Sequence, residues 1–374
     1  MVRIAIYFEN RLGRNDGNPL YVLMAMRRIQ YYGSVLTGRM DKNKSLTLSE
    51  LQSFGFPSSE PDLLAYNVAK KLLDTYGETI EIDHLLPTGE IQAYGKYDLN
   101  IDVDWGEDGL VGILPYTPIK VPSPKMVWNS DTHLGYEYRL KKSLDADYVF
   151  CAQKRACEEM KRDGVKNPAW VPHAVEPLAY PKYDLASKKY DVCFVGNVNS
   201  ANRLNALDRL FREFPNFYYG QRRFDDAARK FSESKIGFNI HMLDDINMRD
   251  FEVMATGTML LTNWIPTIEE VFSNGNDLVL YRDEEEMVEK ARFYIEHENE
   301  REEIAKTGYE KVIKNHTIIH RVEKMLDAYC AKNCKVIGGV EGSTPSPSSP
   351  SNINDIGKEG ENKICVKNEK GEIK

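Results

Sequence analysis

The chain has 374 residues, of which 42% are hydrophobic and 28% charged, an ordinary balance for a folded globular protein. At roughly 150 residues per domain, this length favours two domains and excludes a single small module. The formal net charge of −8 (49 − 57) argues against nucleic acid as the main partner. No apolar run reaches the roughly 20 residues that cross a bilayer, and the first residues show no signal-peptide pattern. The sequence therefore predicts a cytoplasmic protein without a transmembrane segment.

The first half of the chain alternates strand-like and helix-like segments. A strand pattern at 2–8 is followed by a turn-rich stretch at 9–19 and an apolar helical pattern at 20–32. Further strand-like runs lie at 97–103, 125–129, 147–152 and 169–175, and helical stretches lie at 59–76 and 152–162. This alternation predicts a parallel sheet that is covered by helices on both faces.

A proline-containing segment at 176–189 predicts a linker into a second α/β unit. The strand-like runs that follow are 190–196, 214–220, 235–242, 258–263 and 277–283, with helical patterns between them and closing helices at 284–296, 299–314 and 317–332. We predict two Rossmann-like domains, 1–178 and 188–332, which face each other across a ligand-binding cleft. Residues 335–374 are rich in Ser, Pro and charged residues, and are predicted to form a disordered tail.

The stretch at 247–263 carries the clearest chemical signal. Asp250 can cap a short helix, Glu252 lies in its first turn, and Gly257 ends it before the next strand. A helix N-terminus suits a pyrophosphate, and a carboxylate beside it can accept two hydrogen bonds from a ribose diol. Arg249, just outside the helix, would add a charge-assisted contact to phosphate. The alternative is that Glu252 only complements the helix dipole and Arg249 is a solvated charge.

The run FEVMATGTMLLTN (251–263) resembles the LEAMACGTPVI segment of GT-B glycosyltransferases, in which the glutamate holds the ribose of the donor nucleotide. Those enzymes often carry an earlier glutamate in an E-x7-E pattern, and the position eight before Glu252 is Asp244. The resemblance implies that Asp244, or its neighbour Asp245, contacts the transferred sugar.

A longer stretch resembles the spore-maturation CgeB-like branch of the glycosyltransferase group 1 proteins, with N-x-R-x-F-E before the glycine and H-T-x-x-x-R near the end. These motifs read here as Asn247, Arg249, Phe251 and Glu252, then His316, Thr317 and Arg321. The likeness covers about 147–330 in detail and the first half in outline. It implies the GT-B fold, with the nucleotide-sugar donor bound by the second domain.

Two glycine-containing loops extend the predicted donor site. The segment FVGNVNSANR (194–203) follows a strand, and its Gly-Asn turn lets backbone amides approach phosphate closely. In the resembled family a similar F-V-G segment faces the donor. The loop RLGRNDGNP (11–19) has no G-x-G-x-x-G pattern but faces the cleft in GT-B enzymes, a mobile surface turn being the alternative. These loops add the candidates Gly196, Asn197, Arg203, Gly13 and Gly17.

Acceptor-side candidates come from WNSDTHLG (128–135), which follows a predicted strand and resembles a cleft-lining D-x-x-H-like segment. Asp131 or His133 would position an acceptor hydroxyl or act as a general base, and a structural Asp–His turn is the alternative. The segment VPHAVEP (171–177) resembles the L-P-N-G-V-D segment at the end of the first domain. His173 is therefore read as a landmark at the hinge and cleft edge.

No metal site is predicted. The six cysteines include no C-x-x-C pair, and His316 and His320 lack the intervening glutamate of H-E-x-x-H. Asp102 and Asp104 do read D-V-D, the spacing that holds Mn²⁺ or Mg²⁺ in the other major glycosyltransferase fold. The tandem α/β layout and the 247–263 stretch favour the metal-independent fold instead.

Together these features predict a glycosyltransferase that uses a nucleotide diphosphate sugar as co-substrate, retains anomeric configuration and needs no cofactor or metal. Arg249, Arg203, backbone amides and a helix dipole would stabilise the departing pyrophosphate. The sequence does not identify the acceptor. Three alternatives stay open: an epimerase or phosphorylase of the same fold, a phage-type enzyme that glycosylates DNA bases, and a noncatalytic structural protein.

Overall fold

The computed structural model describes residues 1–7, 18–39, 59–77, 79–85, 97–103, 121–198, 200–241 and 243–333. All of them belong to one compact unit, Met1–Cys334. The predicted candidates Gly13 and Gly17, the Asp104 of the D-V-D pair and the predicted tail at 335–374 lie outside the described residues.

The first half forms a six-stranded parallel sheet with the order β2-β1-β3-β4-β5-β6. Its strands are β1 (Val2–Tyr7), β2 (Ile80–Leu85), β3 (Leu99–Val103), β4 (Lys125–Asn129), β5 (Tyr148–Cys151) and β6 (Ala169–Trp170). Its helices are α1 (Asn18–Arg39), α2 (Glu60–Tyr76), α3 (Tyr136–Leu144) and α4 (Lys154–Arg162). Every strand pair is parallel, so all carboxyl ends meet at one edge of the sheet.

Burial explains why these strands form. All five residues of β4 are buried, as expected for the centre of a parallel sheet that is covered on both faces. The indole Nε1 of Trp128 donates a hydrogen bond to the carbonyl of Val171 at 3.0 Å, so this large ring is buried without an unsatisfied donor.

The second half forms a five-stranded parallel sheet with the order β11-β10-β9-β7-β8. Its strands are β7 (Tyr190–Val195), β8 (Phe217–Gly220), β9 (Ser234–Phe238), β10 (Met259–Asn263) and β11 (Val279–Tyr281). Its helices are α5 (Ala201–Glu213), α6 (Phe224–Ser232), α7 (Met248–Ala255), α8 (Glu284–Glu296) and α9 (Glu298–Asn315). The predicted pair of parallel α/β sheet units is thereby confirmed.

Gly237 in β9 sets the close approach of α7 to this sheet. A methyl group at Gly237 would lie 2.4 Å from Cγ1 of Val253, so any larger residue would push the helix away. The start of α7 is therefore held beside the carboxyl ends of β9 and β10.

The last helix, α10 (Ile318–Asn333), returns to the first sheet unit. Its Tyr329 hydroxyl donates to the carbonyl of Asp98 at 2.9 Å, and Lys324 Nζ donates to the carbonyl of Trp170 at 3.1 Å. The sequence-based boundary at 332 grouped this helix with the second domain, and the structure adds these contacts with the first. The other predicted domain boundaries stay predictions.

Two elements of the first unit were absent from the sequence prediction. In strand β2, Ile80 and Ile82 are buried and alternate with the half-buried Glu81 and Asp83, the period-two pattern typical of a strand. Helix α3 is short and polar, so it offered little periodic signal. Among the described helices, none combines the length and the apolarity that a membrane span needs.

Candidate active site

The start of α7 lies at the carboxyl edge of the second sheet and is capped by Asn247. The Asn247 Oδ1 accepts the backbone N–H of Arg249 at 3.0 Å and the side-chain Nδ2 of Asn239 at 3.1 Å. This corrects the sequence-based helix register, in which Asp250 was the cap and Arg249 lay outside. Arg249 is the second helical residue and Glu252 lies in the second turn, because Asn247 takes the cap position and Asp250 turns into the protein.

A buried ion pair joins this helix to the end of β9. His241 Nε2 lies 2.7 Å from Asp250 Oδ2, and neither side chain has any exposed surface. His241 Nδ1 lies 3.1 Å from the carbonyl oxygen of Asn263, so both ring nitrogens face acceptors. Burial lowers the pKa of His241, but the Asp250 carboxylate and the Asn263 carbonyl together raise it above its usual value. The sequence offered no partner for His241, since the pairing depends on the fold.

Two arginines converge at the turn after β7. The guanidinium of Arg203 donates to the carbonyls of Asn197 and Ile240, both at 2.9 Å. The backbone N–H of Arg203 donates to Oγ of Ser200, which caps α5. A methyl group at Gly196 would lie 3.0 Å from Nη1 of Arg249, so the glycine leaves room for that guanidinium. Burial and the nearby charge of Arg249 lower the pKa of Arg203, because like charges repel.

Gly196 thus acts differently from the sequence-based expectation that its amide contacts phosphate. Its N–H already donates to the carbonyl of Gly220 at 3.0 Å. The residue serves the site by having no side chain, while Asn197 is exposed and contributes its carbonyl to Arg203.

The Arg249 guanidinium has donors that find no hydrogen-bond partner among the described residues. Nη1 is buried and has no hydrogen-bond partner within the described part of the chain. Nε lies 3.2 Å from Glu252 Oε2 without hydrogen-bond geometry. A guanidinium whose buried donors are unmet is unfavourable until an anion completes it. With the positive end of α7 beside it, this region is suited to bind a phosphate or pyrophosphate.

Glu252 is buried next to the arginine pair, with 5% of its surface exposed. Burial raises the pKa of Glu252 above its usual value, and the charge of Arg249 and the neighbouring Tyr180 hydroxyl oppose that rise. The structure therefore brings Glu252, Arg249, Arg203 and Gly196 together, as the sequence predicted, and adds a tyrosine that the sequence did not indicate.

Asp244 and Asp245, the two carboxylates considered for the transferred sugar, have different surroundings. Asp244 is exposed, and its Oδ1 accepts the hydroxyl of Thr267 at 2.8 Å. Asp245 Oδ2 accepts Nε2 of Gln153 at 3.0 Å, while its Oδ1 is buried without a partner among the described residues. Gln153 directly precedes α4, so this hydrogen bond crosses from the first sheet unit to the second.

Asp131 lies near Asp245 because its neighbour Thr132 is linked to Gln153. The Thr132 hydroxyl donates to Gln153 Oε1 at 2.7 Å, and Gln153 Nε2 donates to Asp245. Burial raises the pKa of Asp245 to about 7, the Gln153 hydrogen bond opposes the rise, and the Asp131 charge adds to it. His133, the other predicted acceptor-side candidate, is exposed in a 3-10 turn at Thr132–Leu134.

Asp102, the described member of the D-V-D pair, has a structural partner. Lys142 Nζ donates to its Oδ1 at 3.0 Å, and the lysine side chain is only 2% exposed. This buried cation needs the Asp102 carboxylate as its counter-ion. The pairing gives Asp102 a role in holding α3 to the sheet.

The H-T-x-x-x-R motif also has a structural role. Arg321 donates to the carbonyl of His173 at 3.0 Å and to His316 Nδ1 at 3.0 Å, which ties α10 to the hinge segment. His320 Nδ1 lies 2.7 Å from the Thr317 hydroxyl, so the two histidines face different partners. Within the described ranges, no group of three or more His, Cys, Asp or Glu side chains could hold a metal ion.

Comparisons with known proteins agree with this arrangement. Residues 184–327 match the glycosyl transferase-like family, and that range contains Arg203, Arg249 and Glu252. No curated protein sequence matches the chain. The narrower likeness to CgeB-like proteins stays a prediction.

Three solved structures share the fold at low sequence identity. HepE from Anabaena, in complex with UDP and glucose, has a TM-score of 0.55 and 12% identity over 88% of this chain and all of its own. Sucrose-phosphate synthase from Thermosynechococcus elongatus has a TM-score of 0.51 and 11% identity, and the match covers 89% of this chain and 100% of the synthase chain. An α-glucosyltransferase in complex with UDP and a 13-mer DNA has a TM-score of 0.50 and 10% identity, and the match covers 87% of this chain and 98% of the transferase chain. These structures share the GT-B fold of two α/β sheet units, and the family match covers residues 184–327 of this chain.

Proposed function

We propose that the enzyme transfers a sugar from a nucleoside diphosphate sugar to an acceptor hydroxyl, with UDP as the nucleotide. The observation that carries this proposal is the convergence of the Arg203 and Arg249 guanidiniums at Gly196, with a buried Arg249 donor that has no partner in the described part of the chain. A pyrophosphate would bind there and relieve the repulsion between the two cations. UDP is the nucleotide to test first because the HepE and α-glucosyltransferase structures contain it.

Glu252 supports the same pose of the donor. Its carboxylate lies 3.2 Å from Nε of Arg249, so a ribose diol bound to Glu252 would place the attached pyrophosphate against the guanidiniums. A carboxylate can accept both hydroxyls of a diol at once. On the resemblance to E-x7-E enzymes, the exposed Asp244 is the residue proposed to contact the sugar.

The chemistry proposed for this site is stabilisation of a leaving group. When the glycosidic bond to phosphate breaks, negative charge grows on the pyrophosphate, and fixed cations near it lower the barrier. Arg203 and Arg249 supply that charge from the protein, which is the basis for proposing that no metal is required. Retention of configuration is proposed from the family likeness.

Proton transfer from the acceptor is assigned to the carboxylates that Gln153 brings together. Asp131 comes from the first sheet unit and Asp245 from the second, so an acceptor between the units would meet both. One buried oxygen of Asp245 has no partner among the residues that the structure describes, and burial raises the pKa of Asp245 to about 7, near the range where a general base works well.

The test is release of UDP from a panel of UDP-sugars, with and without added acceptor mixtures, in EDTA and in Mg²⁺. We expect release that is unaffected by EDTA and lowered at least about tenfold by Arg249→Ala. Arg212→Ala is the matched control, because Arg212 is exposed on α5 and pairs only with the nearby Asp208. Binding of UDP with no release from any sugar would contradict catalysis and favour the noncatalytic alternative.

A further inference from the structure

A patch of exposed apolar side chains lies at one edge of the second sheet. It consists of Leu204 and Phe211 of α5 and of Phe217 and Tyr219 of β8, and we call it the edge patch. Leu204, Phe211 and Tyr219 expose 57%, 65% and 48% of their surface. The rings of Phe211 and Phe217 meet edge-on with 6.4 Å between centroids, so the helix and the strand contribute to one continuous surface. An apolar surface of this kind is typical of an interaction site.

The two edge strands of this sheet differ in how they are covered. At one edge, all three residues of β11 are buried and α8 packs against the strand. At the other edge, β8 has no fully buried residue, and within the described ranges it has a neighbouring strand on one side only. Its sequence FYYG contains neither the charged residues nor the proline that protect edge strands from pairing. Strand β8 is therefore open to a further strand.

The edge patch is complementary to a second copy of itself. Leu204 and Phe211 are two helical turns apart, so they lie on the same side of α5. When two α5 helices pack antiparallel about a two-fold axis at mid-helix, Leu204 of each copy faces Phe211 of the other. The same axis pairs the two β8 strands antiparallel.

The spacing of strands and helices allows both contacts at once. Leu207 and Leu210 of α5 share a core cluster with Phe194 of β7, and Phe211 reaches β8, so α5 lies over these two strands. Strands in a sheet are about 4.8 Å apart, so the two α5 helices of a joined sheet would lie about 10 Å apart. Helices that are in contact pack at about 8–10 Å.

The charges beside the edge patch favour a copy of the chain over an acidic partner. Asp208 pairs with Arg212 at 2.8 Å, and Arg209 lies 3.4 Å from Glu213, so these four charges cancel and two such surfaces do not repel each other. A nucleic acid or an acidic membrane surface would need an excess of basic residues, which these pairs do not offer. Because each pair closes within its own chain at the rim of the patch, we expect it to contribute little to affinity.

We propose that the chain forms a two-fold symmetric homodimer through the edge patch, with the β8 strands paired antiparallel and the α5 helices side by side. The two five-stranded sheets then form one continuous sheet. Because the strands of the two copies run in opposite directions, their carboxyl edges face opposite ways. The donor site proposed at Gly196 and Arg249 therefore stays open in both copies, and the inference does not depend on the proposed function.

The first test is sedimentation equilibrium of the full chain at micromolar concentrations. We expect twice the mass of one chain for the wild type. Phe211→Asp and Leu204→Asp are each expected to raise the dissociation constant of the dimer at least about thirtyfold, because each places a charge in the apolar contact. Leu144→Asp is the matched control, since Leu144 is 52% exposed at the end of α3 in the first unit, and we expect the wild-type mass.

Circular dichroism shows whether each variant is folded. A monomeric wild type would overturn the proposal, as would a dimer of unchanged affinity in folded Phe211→Asp and Leu204→Asp proteins.

A second test examines the two-fold arrangement. Leu204→Cys combined with Phe211→Cys should give a covalent dimer on oxidation, because each new thiol faces the other kind across the axis. Neither single variant should cross-link more than the wild type. Equal cross-linking by a single variant would overturn the antiparallel pairing of α5.

Discussion

His241 and Asp250 form an ion pair of 2.7 Å that is closed to solvent and fixes the start of α7 to the sheet edge. The pair lies directly behind the residues assigned to the donor. Its loss should therefore show first in stability, and through α7 in donor affinity.

Asp250→Asn is expected to lower the free energy of unfolding by about 3 kcal/mol near pH 6, because a buried imidazolium loses its counter-ion. Since folding raises the pKa of His241, this stabilisation is present below the unfolded-state pKa, about 6.5, and is lost as the pH rises through the folded-state pKa. The difference between wild type and variant should shrink toward alkaline pH. Denaturant unfolding at several pH values measures this difference in the free energy of unfolding. Asp208→Asn, at an exposed ion pair, is the control. A difference that stays constant across pH would rule out a charged His241.

Asp245→Asn should remove a second loss of stability that accompanies rising pH. Burial raises the pKa of Asp245 to about 7, so the wild type loses stability from this group as the pH climbs from about 4 to 7. The variant, which cannot ionise, is expected to be more stable than the wild type at pH 8 and similar near pH 4.

The same variant should alter the rate profile. The charges that face Asp245 are those of Asp131, His241 and Asp250, so its ionisation is the step expected near neutral pH. We expect kcat/KM of the wild type to rise through about pH 7, and the inflection to vanish in Asp245→Asn but not in Asp244→Asn. An inflection that survives in Asp245→Asn would assign the proton transfer to another group.

Gly196→Ala tests the packing of the arginine pair. The added methyl would lie 3.0 Å from Arg249 Nη1 and 3.3 Å from the Phe194 ring, so the guanidinium must move by a few tenths of an ångström. Gly196 is not among the positive-φ residues, so backbone strain adds nothing. We expect a several-fold loss of UDP affinity with a nearly unchanged thermal unfolding midpoint. A large fall in that midpoint would indicate that the glycine serves the fold instead.

Much of the architecture follows from alternation of strand and helix patterns along the chain. Because parallel strands place their carboxyl ends at one edge, residues after different strands, such as Gly196 and Glu252, could be grouped before the structure was known. The cap of α7 was misplaced by three residues, because Asn247 and Asp250 are both good capping types and only the buried His241 decides between them.

Tyr180 and Tyr21 could not be found from the sequence. One lies in a linker and the other in an apolar helix, and neither belongs to a motif. Their proximity to Glu252 arises from the packing of the first sheet unit against the second, a relationship between residues more than 70 positions apart that no local pattern encodes. The cytoplasmic location likewise stays a prediction.

The most direct test of the central claim is calorimetric binding of UDP and uridine in EDTA, for the wild type and Arg249→Ala. If the arginine pair at Gly196 binds the pyrophosphate without metal, UDP should bind the wild type at least about tenfold more tightly than uridine, and Arg249→Ala should lose most of that advantage. Equal affinities for UDP and uridine, or an advantage of UDP that survives in Arg249→Ala, would contradict the assignment of this site.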